Sequence, residues 1–316
     1  MSEESSSLTL QPQSSDIGKR LDAFLAENIE GWSRARLQRL IEDGDVLVNG
    51  KESKASYKLR TDDEIEIELA EVPAERFEPE NIPLDIVFED EYLAVINKPA
   101  GMVVHPGAGI KSGTLANAIA HHFQIHSPQS AIRNRLGIVH RLDKDTSGLI
   151  VIAKNEEIHE ALSEQFRGRK VEKSYVALVH GLTRQNSGKI DRPIARDRRN
   201  RLKMAISPTG RNAVTLWKVR QRFEKFTLLD VEIKTGRTHQ IRVHLASINH
   251  PVVGDTTYNE GRDKTVADAI IRSAILNLGR FFLHAEKLAF THPKTSEKMS
   301  FTVQLPTELK QFLDLL

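Results

Sequence analysis

The chain has 316 residues, 39% apolar and 28% charged, with a formal charge of +2, enough for one large or two unequal domains. With no cysteine, disulfides, thiol catalysis and cysteine-based zinc or iron–sulfur sites are excluded. No run approaches the ~18 apolar residues of a membrane-spanning helix, and the Ser-rich start, MSEESSSLTLQPQSSD, lacks the basic and apolar segments of a signal peptide. Residues 1–15 are expected to be a frayed, disordered tail of a cytoplasmic protein.

Residues 16–69 read as a small module. Asp16 is placed to cap a first helix whose apolar stripe is Ile17, Leu21, Phe24 and Leu25. Ser33 is placed to cap a second, striped by Leu37, Leu40 and Ile41 and stopped by Gly44. Val46 and Val48 alternate with Leu47 before a tight-turn pair, Asn49-Gly50. EIEIEL (64–69) alternates as a half-exposed strand. Arg34, Arg36 and Arg39 lie on other parts of the second helix, where arginines ordinarily solubilise an amphipathic face. The stretches GKRLDAFLA, SRARLQRLIEDGDVLVNGK and TDDEIEIEL resemble the S4 domain, a small RNA-binding module. That resemblance implies phosphate contact by Arg34, Arg36, Arg39 and Lys51.

Residues 70–81, with two prolines and many acids, read as a linker. From Ile82 to the end, β-rich runs dominate: LAVIN (93–97), GLIVIAK (148–154), KSYVALVHG (173–181) and FTLLDVEIK (226–234). Helical patterns are fewer, at TLANAIAHHF (114–123), IHEALSEQF (158–166) and THQIRVHLASI (238–248). Strands and helices do not alternate regularly, which points to an α+β fold with a mixed sheet rather than a doubly wound parallel one. Charge is segregated: residues 61–91 hold thirteen acids and one base, whereas residues 184–225 hold thirteen Lys/Arg against three acids. Such a field repels itself and suits a polyanionic partner, with Arg196, Arg198, Arg199 and Arg201 as candidate RNA contacts.

The stretch HRLDKDTSG (140–148) sets two carboxylates, Asp143 and Asp145, among His140, Arg141 and Lys144. A calcium loop starting at Asp143 would need a carboxylate at its twelfth position, where Lys154 stands. In isolation DKDTSG reads as a turn entering a strand. A second arginine-rich motif, KTGRTHQIRVHL (234–245), admits another reading, an ionised aspartate kept so by a nearby cation. GAGIKSGT (107–114) lacks the glycine and lysine spacing of a phosphate or dinucleotide loop. His239 and His244 are five apart and unsuited to a shared zinc face. No G-x-S-x-G occurs, and no metal site is expected.

Four segments, INKPAGMVVHPG (96–107), GIVHRLDKDTSGLIVIAK (137–154), KSYVALVHG (173–181) and KTGRTHQIRVHLASINHPVVGD (234–255), with FFLHAEKLAFTHPKTSE (281–297), closely resemble the ribosomal large-subunit pseudouridine synthases of the A/D type. RFEPENIPLDIVFEDE (76–91) is similar to the D branch in particular. Two positions depart from the family pattern, Phe281 after Arg280 and Ser296 before Glu297. The resemblance implies an isomerase that converts uridine in RNA to its C-glycoside without a cofactor, on a catalytic domain (82–316) with a mixed, largely antiparallel sheet. It implies Asp143 as catalytic carboxylate, Tyr175 as the active-site aromatic and Arg242 as the cation paired with Asp143. Arg141, Arg237 and His239 join the RNA contacts. The implied partner is large-subunit ribosomal RNA, as a stem-loop or within an assembly intermediate, bound by a monomer with no membrane involvement. A non-catalytic RNA-binding protein on the same scaffold needs Asp143 only as a turn residue; an S4-linked methyltransferase needs a glycine-rich cofactor loop that the chain lacks.

Overall fold

The structure is a computed structural model, and it describes residues 6–29, 34–69, 78–106, 110–123, 137–197, 199–200 and 203–316. The chain divides into two compact units, 1–74 and 75–316.

The first unit has strand β1 (Ser6–Leu10), helices α1 (Leu21–Asn28) and α2 (Arg34–Asp43), and strands β2 (Val46–Val48), β3 (Lys51–Glu52) and β4 (Ile65–Leu69). The sheet order is β1-β4-β2-β3. Leu21, Phe24 and Leu25 meet Leu37, Leu40 and Ile41 in one core with Val46, Ile65 and Ile67. Asn49 and Gly50 both have positive φ, at 54° and 70°, as a two-residue hairpin turn requires.

Three local expectations change here. Ser6–Leu10, read as part of a disordered tail, is an edge strand on β4; Leu8 and Leu10 oppose Ile67 and Ile65 and pack on the core. The first helix starts at Leu21 rather than after Asp16, because Asp16 closes a 3-10 turn and pairs with Lys19. Ser33, the expected second cap, lies outside the described residues.

The second unit runs β5 (Ile86–Glu89), β6 (Leu93–Lys98), α3 (Leu115–His122), β7 (Ser147–Ala153), α4 (Glu156–Arg167), β8 (Glu172–His180), β9 (Ser187–Asp191), β10 (Ile194–Arg196), β11 (Met204–Ile206), β12 (Val214–Arg222), β13 (Phe226–Ile233), α5 (Gln240–Ser247), α6 (Ala269–Leu278), β14 (Leu283–Thr291), β15 (Lys298–Thr302) and α7 (Thr307–Leu313). Nine strands form one sheet, ordered β5-β6-β7-β14-β8-β13-β12-β9, with β15 on β14. Among the described strands only β7 and β14 pair in parallel; β10 and β11 form a separate hairpin. The fold is α+β with a mixed, largely antiparallel sheet.

Strand β7 is buried throughout, because both of its faces are covered. Ile150 and Ile152 join Leu115 and Ile119 of α3 in the main core. Leu149, Val151 and Ala153 join Ile158 and Leu162 of α4 on the other face. Asn155 caps α4 by accepting from the Ile158 N–H, and Thr114 caps α3. The end of the expected linker, residues 78–81, packs on this unit: Glu78 carbonyl accepts from Asn117 Nδ2, and the Glu80 carboxylate accepts from Gly113 N–H.

Gly148, the glycine of TSG, has φ 111°, and a Cβ there would sit 2.2 Å from the Ala285 carbonyl oxygen. Only glycine lets β14 approach β7 this closely. The basic stretch 184–225 becomes β9 to β12, and its field is relieved partly from outside. Arg220 sits at a register shift in β12 and meets Asp230 of the adjacent β13 and, reaching further, Glu286 of β14, the Glu286 and Asp230 carboxylates outweighing burial to raise its pKa.

Candidate active site

Asp143 lies where the chain turns into β7. Thr146 N–H donates to the Asp143 carbonyl, and Leu142 anchors the turn in the core. Fully buried Lys98 fastens the turn from below, its Nζ donating to the carbonyls of Pro99 (2.7 Å), Met102 (2.8 Å) and Lys144 (3.1 Å). Burial pushes Lys98 down to about 7, the Arg280 charge adds to this, and the Asp145 and Asp143 carboxylates oppose it.

Arg242 stands in the first turn of α5. The loop before it is set by Gln240, whose carbonyl accepts from Thr235 Oγ1 and Arg237 N–H and whose amide donates to the Val214 carbonyl and Thr215 Oγ1. Arg242 Nη1 reaches Asp143 Oδ2 at 3.1 Å. Its Nε and Nη2 donate to the two Asp255 oxygens at 2.7 and 2.8 Å, a fork geometry that fixes the guanidinium plane. The guanidinium also lies 4.2 Å from the Phe281 ring centroid and 5.1 Å from that of Tyr258. Burial alone would weaken its charge; the Asp255 and Asp143 carboxylates more than offset that, and its pKa is raised.

The exposures are graded toward solvent. The Asp255 side chain is 1% exposed, that of Arg242 7% and that of Asp143 18%. Asp143 is therefore the open end of a buried array, and it lines a cleft of ≈ 500 Å³ with Arg141, His239, Arg242, Ile275 and Arg280. Gly254, beside Asp255, has φ 79°, and a Cβ there would meet the Arg280 carbonyl oxygen at 2.3 Å, so the Asp255 turn needs glycine before it.

Tyr175 sits mid-strand in β8, opposite Val231 of β13. It is 6% exposed, within the main core rather than on the cleft wall. Burial pushes its phenol up and the Asp143 charge adds to this, so it stays protonated at neutral pH. His140 is not one of the cations around Asp143. Its Nε2 accepts from Val151 N–H at 3.0 Å, its ring stacks on Phe166, and burial, with the Lys173 charge, lowers it to about 3. The histidine is neutral and its role is to hold the HRLD segment on β7. His244 is likewise satisfied in the core, between Thr215 Oγ1 and the Arg192 carbonyl.

The expected RNA contacts divide. Arg141 and His239 line the cleft. Arg237 is half-buried and its Nε donates to the Asn212 carbonyl. Arg196 and Arg199 are exposed near the β10–β11 hairpin; Arg198 and Arg201 lie outside the described residues. In the first unit, Arg34 is committed to Asp22 through Nε and Nη2, so it supports the module's own packing while remaining half-exposed. The side chains of Arg36 and Arg39 lie outside the described residues. Among the described residues no cluster of three or more His, Asp or Glu could hold a metal ion. Asp255, Tyr258, Lys98 and Arg280 were not singled out from the sequence. The HPVVGD segment contained Asp255, but nothing local to it shows that its partner lies thirteen residues upstream.

Comparison with known proteins fits this geometry. The family profile for RNA pseudouridylate synthase matches residues 92–247, and that for the S4 domain matches residues 19–65. A Bacillus subtilis protein named uncharacterized RNA pseudouridine synthase YlyB is 41% identical over 296 residues, covering 94% of this chain and 93% of its own. The chain belongs to the RNA pseudouridylate synthase family. A Pasteurella multocida protein named ribosomal large subunit pseudouridine synthase D is 42% identical, covering 98% of this chain and 94% of its own. Among solved structures, human RNA pseudouridylate synthase domain containing 4 shares the fold at 25% identity and a TM-score of 0.56, over 72% of this chain and 91% of that one. As a member of this family the chain is an isomerase that converts uridine in RNA to pseudouridine.

Proposed function

We propose that the chain isomerises uridines in large-subunit ribosomal RNA, with the Asp143 carboxylate acting on the extruded nucleotide. The observation that carries the reading is the array Asp143–Arg242–Asp255, which ends at the floor of a cleft. Isomerisation must break the N1–C1′ bond, hold and turn the base, and join C5 to C1′. A carboxylate can serve by attack at C1′, by attack at C6 or by starting elimination at the sugar. Arg242 orients Asp143 by a single hydrogen bond and leaves its other oxygen free of that contact. Tyr175 lies in the core rather than on the cleft wall, and burial keeps its phenol protonated, so it is a hydrogen-bond donor rather than a base.

A stacked uridine hides its C1′ from any carboxylate, so the target is flipped out at a cost of a few kcal/mol, least in loops and weakly paired regions. This favours a stem-loop. Arg141, which is exposed and lines the cleft, would fill the space that the flipped base leaves. The names of the Pasteurella relative and others like it support large-subunit rRNA, and the S4 match supports a second RNA grip. The reading takes the enzyme as a cytoplasmic monomer acting on free rRNA or an assembly intermediate.

The test is tritium release from [5-³H]uridine-labelled rRNA taken from cells lacking the protein, followed by mapping of the new pseudouridines. Release with modification confined to the large-subunit RNA is expected. Release from transfer RNA alone would overturn the substrate assignment.

A further inference from the structure

His239 is the residue before α5, in a left-handed backbone conformation (φ 54°) that is uncommon for a non-glycine residue. That conformation turns its ring toward Tyr258, whose hydroxyl lies 2.8 Å from His239 Nδ1. The same hydroxyl accepts from the Met204 N–H at 2.8 Å. The two rings meet edge to face, 5.7 Å apart, and the other side of the Tyr258 environment is the Arg242 guanidinium.

A phenol has one proton and two lone pairs. The Met204 N–H can only donate, so it occupies a lone pair. Were His239 protonated at Nδ1, two donors would converge on the oxygen and the phenol proton would have no acceptor among the described residues. The consistent arrangement has Tyr258 donating to Nδ1. A neutral imidazole that accepts at Nδ1 carries its proton on Nε2. Burial keeps the ring neutral at pH 7, against the pull of Asp143 and with the push of Arg242. Nε2 has no partner among the described residues and is not sealed from solvent, and His239 lines the cleft with Asp143.

We propose that Tyr258 is a positioning residue that locks His239 as the Nε2–H tautomer, so that the imidazole presents a fixed hydrogen-bond donor to an acceptor oxygen of the nucleotide bound over Asp143. This rests on the reading of the cleft as the uridine site. Two oxygens share that chemistry, a uracil carbonyl and the 5′-phosphate. As the base detaches, negative charge gathers on the uracil carbonyls, and a donor already in place there stabilises it. A phosphate contact would instead bind ground and transition states alike. Met204 opens β11, and Lys203 beside it donates to the Thr257 carbonyl at 2.6 Å. The basic hairpin is thereby fastened to the turn that carries both Asp255 and Tyr258, so the donor is held by an element that also carries the exposed Arg196.

The experiment uses the full chain and two readouts. The first is the ¹⁵N spectrum of its histidines at pH 7. In wild type, His239 is expected to show a pyridine-type Nδ1 and a pyrrole-type Nε2; in Tyr258→Phe the two are expected to average toward a tautomer mixture. The second is the rate of tritium release from [5-³H]uridine rRNA. His239→Phe is expected to lose about tenfold, the size of one neutral hydrogen bond, and His239→Gln, whose amide can place a donor near Nε2, to stay within about threefold. Tyr258→Phe should lower the rate in wild type and add nothing in the His239→Phe background. A loss in kcat assigns the oxygen to the uracil, and a rise in KM alone assigns it to the phosphate. A protonated Nδ1 in wild type, or wild-type turnover by His239→Phe, would overturn the proposal. No release by wild type itself would instead strike the uridine-site reading.

Discussion

Replacing Arg242 by lysine keeps the charge and removes the geometry. The guanidinium makes two hydrogen bonds to Asp255, at 2.7 and 2.8 Å, and one to Asp143 at 3.1 Å, while lying over Phe281 at 4.2 Å. An ammonium group is a single point and cannot satisfy both carboxylates from one position on α5. Asp255, 1% exposed, has the stronger claim on it, so Asp143 loses its orienting partner. Losing one to two charge-assisted hydrogen bonds costs about 3 kcal/mol. In a unit of this size each kcal/mol corresponds to about 2–4 °C, so the melting temperature should fall by roughly 6–12 °C. Misplacing a catalytic group by about 1 Å costs on the order of 10²-fold in rate. Single-turnover tritium release with enzyme in excess measures that rate at a temperature where the variant is folded, and a filter-binding assay measures RNA affinity. Arg242→Lys should release tritium about 10²-fold more slowly and bind RNA within about threefold of wild type. Turnover within about threefold of wild type would refute the claim that the fork positions Asp143.

Three further outcomes follow from the same geometry. His140 and His284 are held neutral by burial, down to about 3 and about 4; the unfolded chain protonates both near 6.5, so stability should fall as pH drops from about 6.5 toward 4, by up to ~1.4 kcal/mol per unit per histidine. Urea unfolding at pH 7 and pH 5 reads this, and His140→Gln should flatten the dependence; an unchanged slope would contradict it. Gly148→Ala places a methyl 2.2 Å from the Ala285 carbonyl oxygen at φ 111°, so thermal melting should show a loss of at least ~3 kcal/mol; a stability within 1 kcal/mol, roughly the scatter of surface substitutions, would mean β7 and β14 can separate freely. Deletion of residues 1–74 should weaken rRNA binding more than it slows single-turnover release; equal affinity would remove the first unit from RNA recognition.

The parts of the fold that were legible in the sequence are those where burial leaves a local pattern. LAVIN and GLIVIA read as strands because both faces of β6 and β7 are covered and their runs are continuously apolar. Asn49-Gly50 and Gly44 read as punctuation because their positive φ demands such residues. The strand Ser6–Leu10 did not read, since SSLTL has two apolar positions and gains its order only by pairing with β4. Helix α6 was missed for a related reason: Ile270 and Leu276 are exposed on it, which blurs the stripe that marks a helix.

The site was legible where residues carry a motif and illegible where function depends on distant pairing. Asp143 and Arg242 meet across 99 positions, and the resemblance supplied that pairing, not any local signal. Tyr258 and Asp255 act through α5, and their roles exist only once the turn at 254–258 is folded against it. His140 misled because a histidine next to an arginine and near two carboxylates looks cationic, whereas its depth and its acceptor role to Val151 make it neutral.

Asparagine at position 143 is nearly isosteric with aspartate and removes only the carboxylate. The decisive measurement is tritium release by Asp143→Asn, in excess over [5-³H]uridine rRNA, beside RNA binding by the same preparation. Binding within about threefold of wild type, with release no faster than the uncatalysed background, is the predicted result. Release at the wild-type rate would contradict the account, because it would leave the Asp143–Arg242–Asp255 array with no chemistry to perform.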